Sequence, residues 1–383
     1  MVAAGKFEVS LIRSWSEFEQ HRDEWSNVWT ADPRAEIFTH FDWLAAIAHA
    51  YGDGLAPCCP VISHSGKPVA ILPVGVRDGF LNFLSSPRGD FNDLIFAADA
   101  DSAIIADDLD EVCRLAFSTL DDQALTWQNA CLENVVENSW LLTALSSFDA
   151  AASTGFPCRP LIAQHGVGPA ARLTEETPEA LNKKLCRKKT TKRRRNQLAR
   201  MGNLEFVPKL DQNELPQARE FFVKLHCERR LAAGDESFLE EENGKQFLEA
   251  ILQGPTQHSA KLSALRLDGQ NIALCLGLEA DGRYSYYAPT FDAEWSKYAA
   301  GDVLLSFMLE DAIDRGIEVF DFGLGDEAYK ARFASETREV FKIHLFGSGV
   351  KPRLKRAALS LRETAKQNPR LYGAMKKVLN RSS

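Results

Sequence analysis

Tyr329 and Lys330 stand side by side shortly after Asp321. A phenol can give a proton to a leaving group, and an ammonium can hold a developing oxyanion or an anionic acceptor. Asp321 sits inside the apolar run Val319, Phe320, Phe322. A carboxylate buried there is costly unless partnered, so it can act as a base with a raised pKa or hold an amine. Upstream, Ser296-Lys297-Tyr298-Ala299-Ala300-Gly301-Asp302 opens a run with helical apolar spacing. Small residues let a ligand approach the backbone, and the free N–H groups and dipole of a helix start favour phosphate oxygens. Lys297, Ala299, Ala300, Gly301 and Asp302 are therefore the candidate phosphate seat. Each group also has a plainer reading. The loop can be ordinary packing, and Tyr329 with Lys330 a helix-surface pair. Asp321 can be a cap on the turn Gly323-Leu324-Gly325-Asp326.

Tyr284, Tyr286 and Tyr287 precede the loop on a strand-like run. Alternation sends Tyr284 and Tyr286 to one side and Tyr287 to the other. Tyr286 is a candidate for lining the cofactor site and Tyr287 for touching substrate; aromatic packing is the alternative. His226 and Arg229 lie about one helical turn apart and form a second candidate substrate pair. His226 equally fits a partly buried ring on the Phe222/Leu225 face. Asp326 or Glu327 can cap the short helix carrying Tyr329, and Asp326 is a further candidate substrate contact. The eight histidines and eight cysteines show no HxH, HExxH or CxxC spacing. No metal is expected, and the cysteines read as reduced, apolar residues.

These residues need elements to position them. Val303, Leu304, Phe307, Met308 and Ala312 recur at helical spacing and predict a helix over 301–315. A buried strand at 319–322, a short helix near 326–333 and a strand at 339–346 follow. Ahead of them, strands at 259–267, 271–278 and 283–288 are joined by Asp268-Gly269 and Asp281-Gly282, both strong hairpin signals. Helices are expected at 174–181, 183–200, 215–231 and 238–251, with a strand at 204–207. The first half is a looser copy. It reads as strand 7–12, helix 38–51, a hairpin of 57–63 and 67–76 turned at Ser65-Gly66, and short strands 80–85 and 93–96. Helix 102–119, strand 124–128 and helix 136–146 follow. A Pro/Gly-rich stretch, 150–173, joins the halves and contributes an edge strand or two.

A chain of 383 residues suggests two domains, here 1–165 and 166–350, with a tail at 351–383. Apolar content of 45% and charged content of 26% are those of a soluble globular protein. There is no apolar run of membrane-spanning length and no signal-peptide core, so a cytoplasmic location is expected. The net charge of −8 is unevenly spread. Residues 183–200 carry ten Lys/Arg and no acid, and 351–383 carry ten Lys/Arg and one acid, Glu363. The remainder holds 25 cations against 52 acids. An acidic body with two basic segments implies anionic partners at defined places. The segment 183–200 suits phosphate-rich ligands such as a nucleotide sugar, lipid head groups or tRNA, although overall acidity weighs against nucleic acid. In the tail, Leu354, Ala358, Leu361 and Ala365 recur at helical spacing among Lys351, Lys355, Arg356, Arg362 and Lys366. Such a basic amphipathic segment suits peripheral contact with an anionic inner-membrane face, or docking on the acidic body.

The three-strand meander, glycine-led helix, strand and short helix resemble the GNAT (N-acetyltransferase) fold. The basic helix KKLCRKKTTKRRRNQLAR, the pattern Phe221-Phe222-x-x-Leu225-His226-x-x-Arg229, and Asp268-Gly269-Gln270-Asn271-Ile272-Ala273 narrow the resemblance to the CelD-like acetyltransferase family. Phe320-Asp321-Phe322-Gly323-Leu324-Gly325-Asp326-Glu327-Ala328-Tyr329-Lys330 carries it furthest. The layout is also similar to the Fem-type peptidyltransferases, with two GNAT-like units in one chain. The resemblance covers about 174–346 well and 7–160 more weakly. It implies an α/β (α+β) fold of two GNAT-like units, each a mixed, mostly antiparallel sheet flanked by helices, plus the basic helical tail. It implies a transferase using acetyl-CoA or a longer acyl-CoA to acylate an amine, such as an amino sugar or a lipid amine in envelope polysaccharide work. Tyr329 would be the acid, Asp321 or a water it orders the base, and the first unit would help shape the acceptor groove. The usual Arg/Gln-x-x-Gly-x-Gly/Ala loop departs here to Ser296-Lys297-Tyr298-Ala299-Ala300-Gly301, leaving Lys297 to supply the charge. Two other outcomes stay open: aminoacyl transfer from aminoacyl-tRNA, and a non-catalytic binding protein on this fold.

Overall fold

The structure is a computed structural model that describes residues 2–4, 6–86, 88–98, 108–122, 127, 129–147, 160–253, 260–346, 357 and 359–360. The expected amphipathic tail at 351–383 and strand at 124–128 fall almost wholly outside the described residues. The chain forms two compact units. One holds Met1–Phe41, Asp53–His165 and Glu339–Ser383; the other holds Asp42–Gly52 and Gly166–Arg338.

The elements of the first part of the chain are β1 (Val2–Ala4), β2 (Phe7–Ile12), α1 (Trp15–Gln20), α2 (Arg22–Thr30), α3 (Phe41–Tyr51), β3 (Ala56–Pro57), β4 (Cys59–His64), β5 (Lys67–Ile71), β6 (Val74–Arg77), β7 (Phe80–Phe83), β8 (Ile95–Phe96), α4 (Leu109–Asp122), β9 (Asn129–Val136) and α5 (Trp140–Ser147). In the first unit β1-β2-β4-β5-β8 form one antiparallel sheet. The strands β9-β7-β6-β3 run side by side in a second, with β7 and β9 parallel. Leu109, Val112, Cys113, Ala116, Phe117 and Leu120 of α4 fall on one helical face and are buried with Ile62, Phe83 and Leu132. Two buried carboxylates fix α5. Asp93 accepts from the Trp140 and Leu141 N–H groups at 2.6 and 2.9 Å, and Asp32 accepts from the Trp140 indole at 2.9 Å. Burial pushes the Asp93 carboxyl up to about 8, against the backbone donors that favour its anion.

The second part continues with β10 (Leu161–Arg172), α6 (Pro178–Leu181), α7 (Lys189–Ala199), β11 (Leu204–Val207), α8 (Leu215–Ala233), α9 (Glu242–Gln253), β12 (Ala260–Leu267), β13 (Gln270–Ala280), β14 (Arg283–Phe291), α10 (Ala300–Asp314), β15 (Val319–Asp321) and β16 (Glu336–Phe346). In the second unit the strand order is β11-β12-β13-β14-β15-β10, antiparallel except for β14 and β15. The Asp268-Gly269 and Asp281-Gly282 turns hold both central residues at positive φ, the twist that tight hairpins require. Helix α10 buries Val303, Leu304, Met308 and Ala312 in one cluster with Ala273, Cys275, Tyr284, Tyr286 and Phe320. Helix α3 belongs to this unit through Trp43, whose ring meets the rings of Phe247 and Tyr287 at 4.9 and 5.4 Å.

Three expected helices differ. That at 174–181 shortens to α6, Pro178–Leu181, capped by Thr177. The run 183–200 is broken: a π turn spans Asn182–Cys186, and α7 starts only at Lys189. Between them Arg187 reaches Glu310 at 2.8 Å. The expected helix at 326–333 shrinks to a 3-10 turn, Lys330–Arg332.

Candidate functional site

Strand β14 pairs with β13 from Arg283 to Phe291, but with β15 only through Arg283, Tyr284 and Ser285. Beyond Ser285 the two parallel strands part. Tyr287 is the extra residue of a bulge there, since Gly277 pairs with Tyr286 and Leu276 with Ala288. A bulge bends its strand and sharpens the local twist. The β14 edge from Tyr286 to Phe291 therefore faces an opening where β15 would otherwise lie. Helix α10 starts close to the far end of that edge: a Cβ on Gly301 would stand 3.0 Å from the Phe291 ring.

A 3-10 turn, Ala293–Tyr298, leads into α10, and Ala299 makes the corner at φ 56°, ψ 48°. No side chain caps the first turn of α10. Its leading N–H groups are thus without intrahelical partners and point outward from the helix start. Asp302 in that turn would repel an anion, but its carboxylate is held by Arg194 and, at 3.1 Å, by Arg332. Ala299, Ala300, Gly301 and Asp302 are thus brought together as a neutralised, small-residue helix start. Lys297 is exposed on its rim, with its ammonium 4.9 Å from the Tyr298 ring centre. These residues fit a pyrophosphate.

Tyr329 lies half-buried at the start of the 3-10 turn and packs on the α10 cluster. Burial, then the nearby Glu327 charge, raises its phenol pKa, while Arg229 acts in the opposite direction. The phenol keeps its proton at neutral pH. Lys330 turns inward: its ammonium donates to the Leu324 carbonyl at 2.9 Å and pairs with Glu327 at 2.8 Å. It clamps the Gly323–Gly325 turn and is not free to meet an oxyanion. Asp321 is fully buried. One oxygen accepts from the Gly323 N–H at 2.9 Å; the other meets Arg283 at 3.1 Å and Arg338 at 2.6 Å. The turn-capping role and a double ion pair together occupy this carboxylate.

The other candidates divide. Tyr286 is a buried ring beside Phe320, centroids 6.0 Å apart, its phenol pKa raised by burial. Tyr287 faces Trp43 of α3. Arg229 lies exposed on α8, donates to the Pro289 carbonyl and sits 5.4 Å from the Phe291 ring, beside the opening. His226 is buried 2.7 Å from the Ser237 hydroxyl, and burial lowers its pKa to about 4. It is a neutral packing residue. Asp326 is exposed beyond the turn, and no side chain caps the Tyr329 turn. Local reasoning missed Arg283, Arg338, Arg194 and Arg332, which neutralise Asp321 and Asp302. Arg338 and Arg283 stand 17 and 38 residues from Asp321, beyond any spacing rule.

Residues 186–331 match the family model described as an acetyltransferase (GNAT) domain. That match lies within the second unit, whose fold is mixed α/β. Three solved structures share the fold across most of the chain. FemX matches with TM-score 0.55 at 12% identity, covering 88% of this chain and 96% of FemX. A conserved protein of unknown function from Bacteroides thetaiotaomicron matches with TM-score 0.53 at 11% identity, covering 85% and 97%. The C-terminal domain of a putative lysylphosphatidylglycerol synthetase from Agrobacterium fabrum matches with TM-score 0.51 at 13% identity, covering 90% and 97%. At such identities the likeness is one of fold. No curated protein matches the chain. Among the described residues no helix is long and apolar enough to cross a membrane.

Proposed function

We propose that this chain is an acyl-CoA-dependent N-acyltransferase of the CelD-like kind. Its acceptor would be an amino sugar or lipid amine of envelope polysaccharide work. One observation carries the reading: β14 parts from β15 after Ser285 beside an uncapped helix start made of Ala299, Ala300 and Gly301. The β14 edge would hold the extended arm by backbone hydrogen bonds, and the α10 N–H groups the pyrophosphate. The thioester supplies an activated acyl carbon. Tyr329, protonated at neutral pH, would give its proton to the departing sulfur and regain one from the amine nitrogen as that nitrogen bonds to the acyl carbon. Arg229 offers a cation at the same opening for an anionic acceptor. Asp321 and Lys330 act at one remove, by fixing the turn that carries Tyr329. The protein would work in the cytoplasm, with the basic tail providing peripheral contact at the inner membrane face.

The test is thermal-shift binding of CoA, acetyl-CoA and palmitoyl-CoA, because a ligand of the folded state must raise the melting temperature. A rise with a CoA species that Gly301→Val abolishes supports the reading, and the preferred chain length separates sugar from lipid chemistry. No rise with any of the three overturns it. With a turnover assay in hand, Tyr329→Phe should lower kcat by about 10²-fold or more with KM little changed. An unchanged kcat removes Tyr329 from the mechanism.

A further inference from the structure

The second unit holds a cavity that acyl transfer does not use. It lies under the C-terminal half of α10, against β11, β12 and the first residues of β14, with a volume of about 190 Å³. Asp311, on its rim, follows Gly301 by ten residues, about 15 Å along the helix. The cavity is therefore separate from the phosphate seat at the other end of α10. Phe206 of β11 and Met308 of α10 form its walls. Phe206 is held in place by stacking on Phe307, ring centres 5.7 Å apart. Tyr284 and Ser263, both buried, close the deep end. Their hydroxyls are already satisfied: Tyr284 bonds to Ser263, and Ser263 donates to the Pro208 carbonyl at 2.7 Å. An apolar body entering there strands no polar group.

The rim is charged. Lys209, Lys261 and Arg315 stand there with Asp311. Glu279, behind them, pairs with Lys261 and, at 2.8 Å, with Arg315; Asp311 meets the Arg315 Nε at 2.8 Å. Three cations against these two acids leave one positive charge. Donors are also left over. The Arg315 Nη2 donates to no described residue, and Glu279 engages one of the three N–H groups of Lys261. An apolar cavity of about 150 Å³ holds a benzene ring. This one therefore has room for six carbons, as a ring or a chain, with one further group. A single residual charge and unused N–H donors match one carboxylate, and fall short of a phosphate dianion. We propose that this cavity is an accessory binding site for a short apolar monocarboxylate. Its hydrocarbon lies between Phe206 and Met308, and its carboxylate meets Lys261 and Arg315. The site stands apart from the proposed function, since it needs neither a thioester nor turnover.

The test is isothermal titration of the full-length protein with benzoate and with hexanoate near neutral pH. Each should bind with a dissociation constant of about 1 mM or tighter, within reach of a ligand of about nine heavy atoms. Benzyl alcohol keeps the ring and loses the charge, and should bind at least about tenfold more weakly. Benzoate should weaken about as much with Lys261→Gln and with Arg315→Gln. Each of these variants leaves Glu279 one cation, and the melting temperature separates a lost contact from a lost fold. Lys209→Gln changes an exposed position outside the Glu279 pairs and should weaken benzoate by about two- to threefold. Added CoA should not displace benzoate, whether or not CoA itself binds. No binding of either carboxylate at about 10 mM overturns the proposal. So does equal affinity for benzyl alcohol, undiminished binding by all three variants, or displacement of benzoate by CoA or by an equal concentration of inorganic phosphate.

Discussion

Ala299 holds a left-handed backbone at the corner where the polypeptide enters α10. A Cβ makes that conformation cost about 1–2 kcal/mol, which glycine avoids. The GNAT loop that this segment resembles places glycine at this corner, and this chain carries alanine there. Ala299→Gly should therefore stabilise the protein, by about 1 kcal/mol after the greater unfolded-state entropy of glycine is counted. An urea midpoint that fails to rise would show that the corner is not strained. Residue types alone announced an acid, a cation and a carboxylate at 329, 330 and 321. What they do depends on partners far away in sequence. Lys330 finds carbonyls of its own turn, and Asp321 finds Arg283 and Arg338. A charge in an apolar run signals that a partner exists, but not whether that partner is a substrate or another side chain.

Among the elements, the meander was legible because Asp-Gly pairs force the hairpin twist, and α10 because its apolar stripe is unbroken. Strand β9 was not legible. Asn134 adopts a left-handed φ of 62° and the pairing with β16 slips between Phe341 and Ile343, so the period-two signal is lost. The break before α7 was hidden for another reason: a run of lysines and arginines has no apolar rhythm to interrupt. Packing between elements yields its own prediction. A Cβ at Gly277 on β13 would lie 2.0 Å from the Tyr284 hydroxyl on β14. Tyr284 in turn stacks on Phe320 of β15, ring centres 5.2 Å apart. Gly277→Ala should cost about 1–3 kcal/mol, read as a lowered urea midpoint. No loss would mean that the tyrosine can leave this position freely.

Across the whole molecule the two units should answer pH in opposite directions. His226, in the second, titrates at about 4 when folded against 6.5 when free. Its contribution is intact above pH 6.5 and is lost as pH falls toward 4. Asp93, in the first, titrates at about 8 against 3.8. Its contribution is intact below pH 3.8 and is lost as pH rises through 8. Each is worth up to a few kcal/mol, at about 1.4 per pKa unit. His226→Gln should flatten the acid limb of the melting-temperature profile and Asp93→Asn the alkaline limb. Parallel profiles for variants and wild type would refute both assignments. The parting of β14 from β15 has a consequence of another kind. A berth built from main chain makes few demands on the side chains beside it. On the proposed function, mutation could redraw those side chains without dismantling the berth, leaving the choice of acceptor and the grip on the donor free to evolve separately.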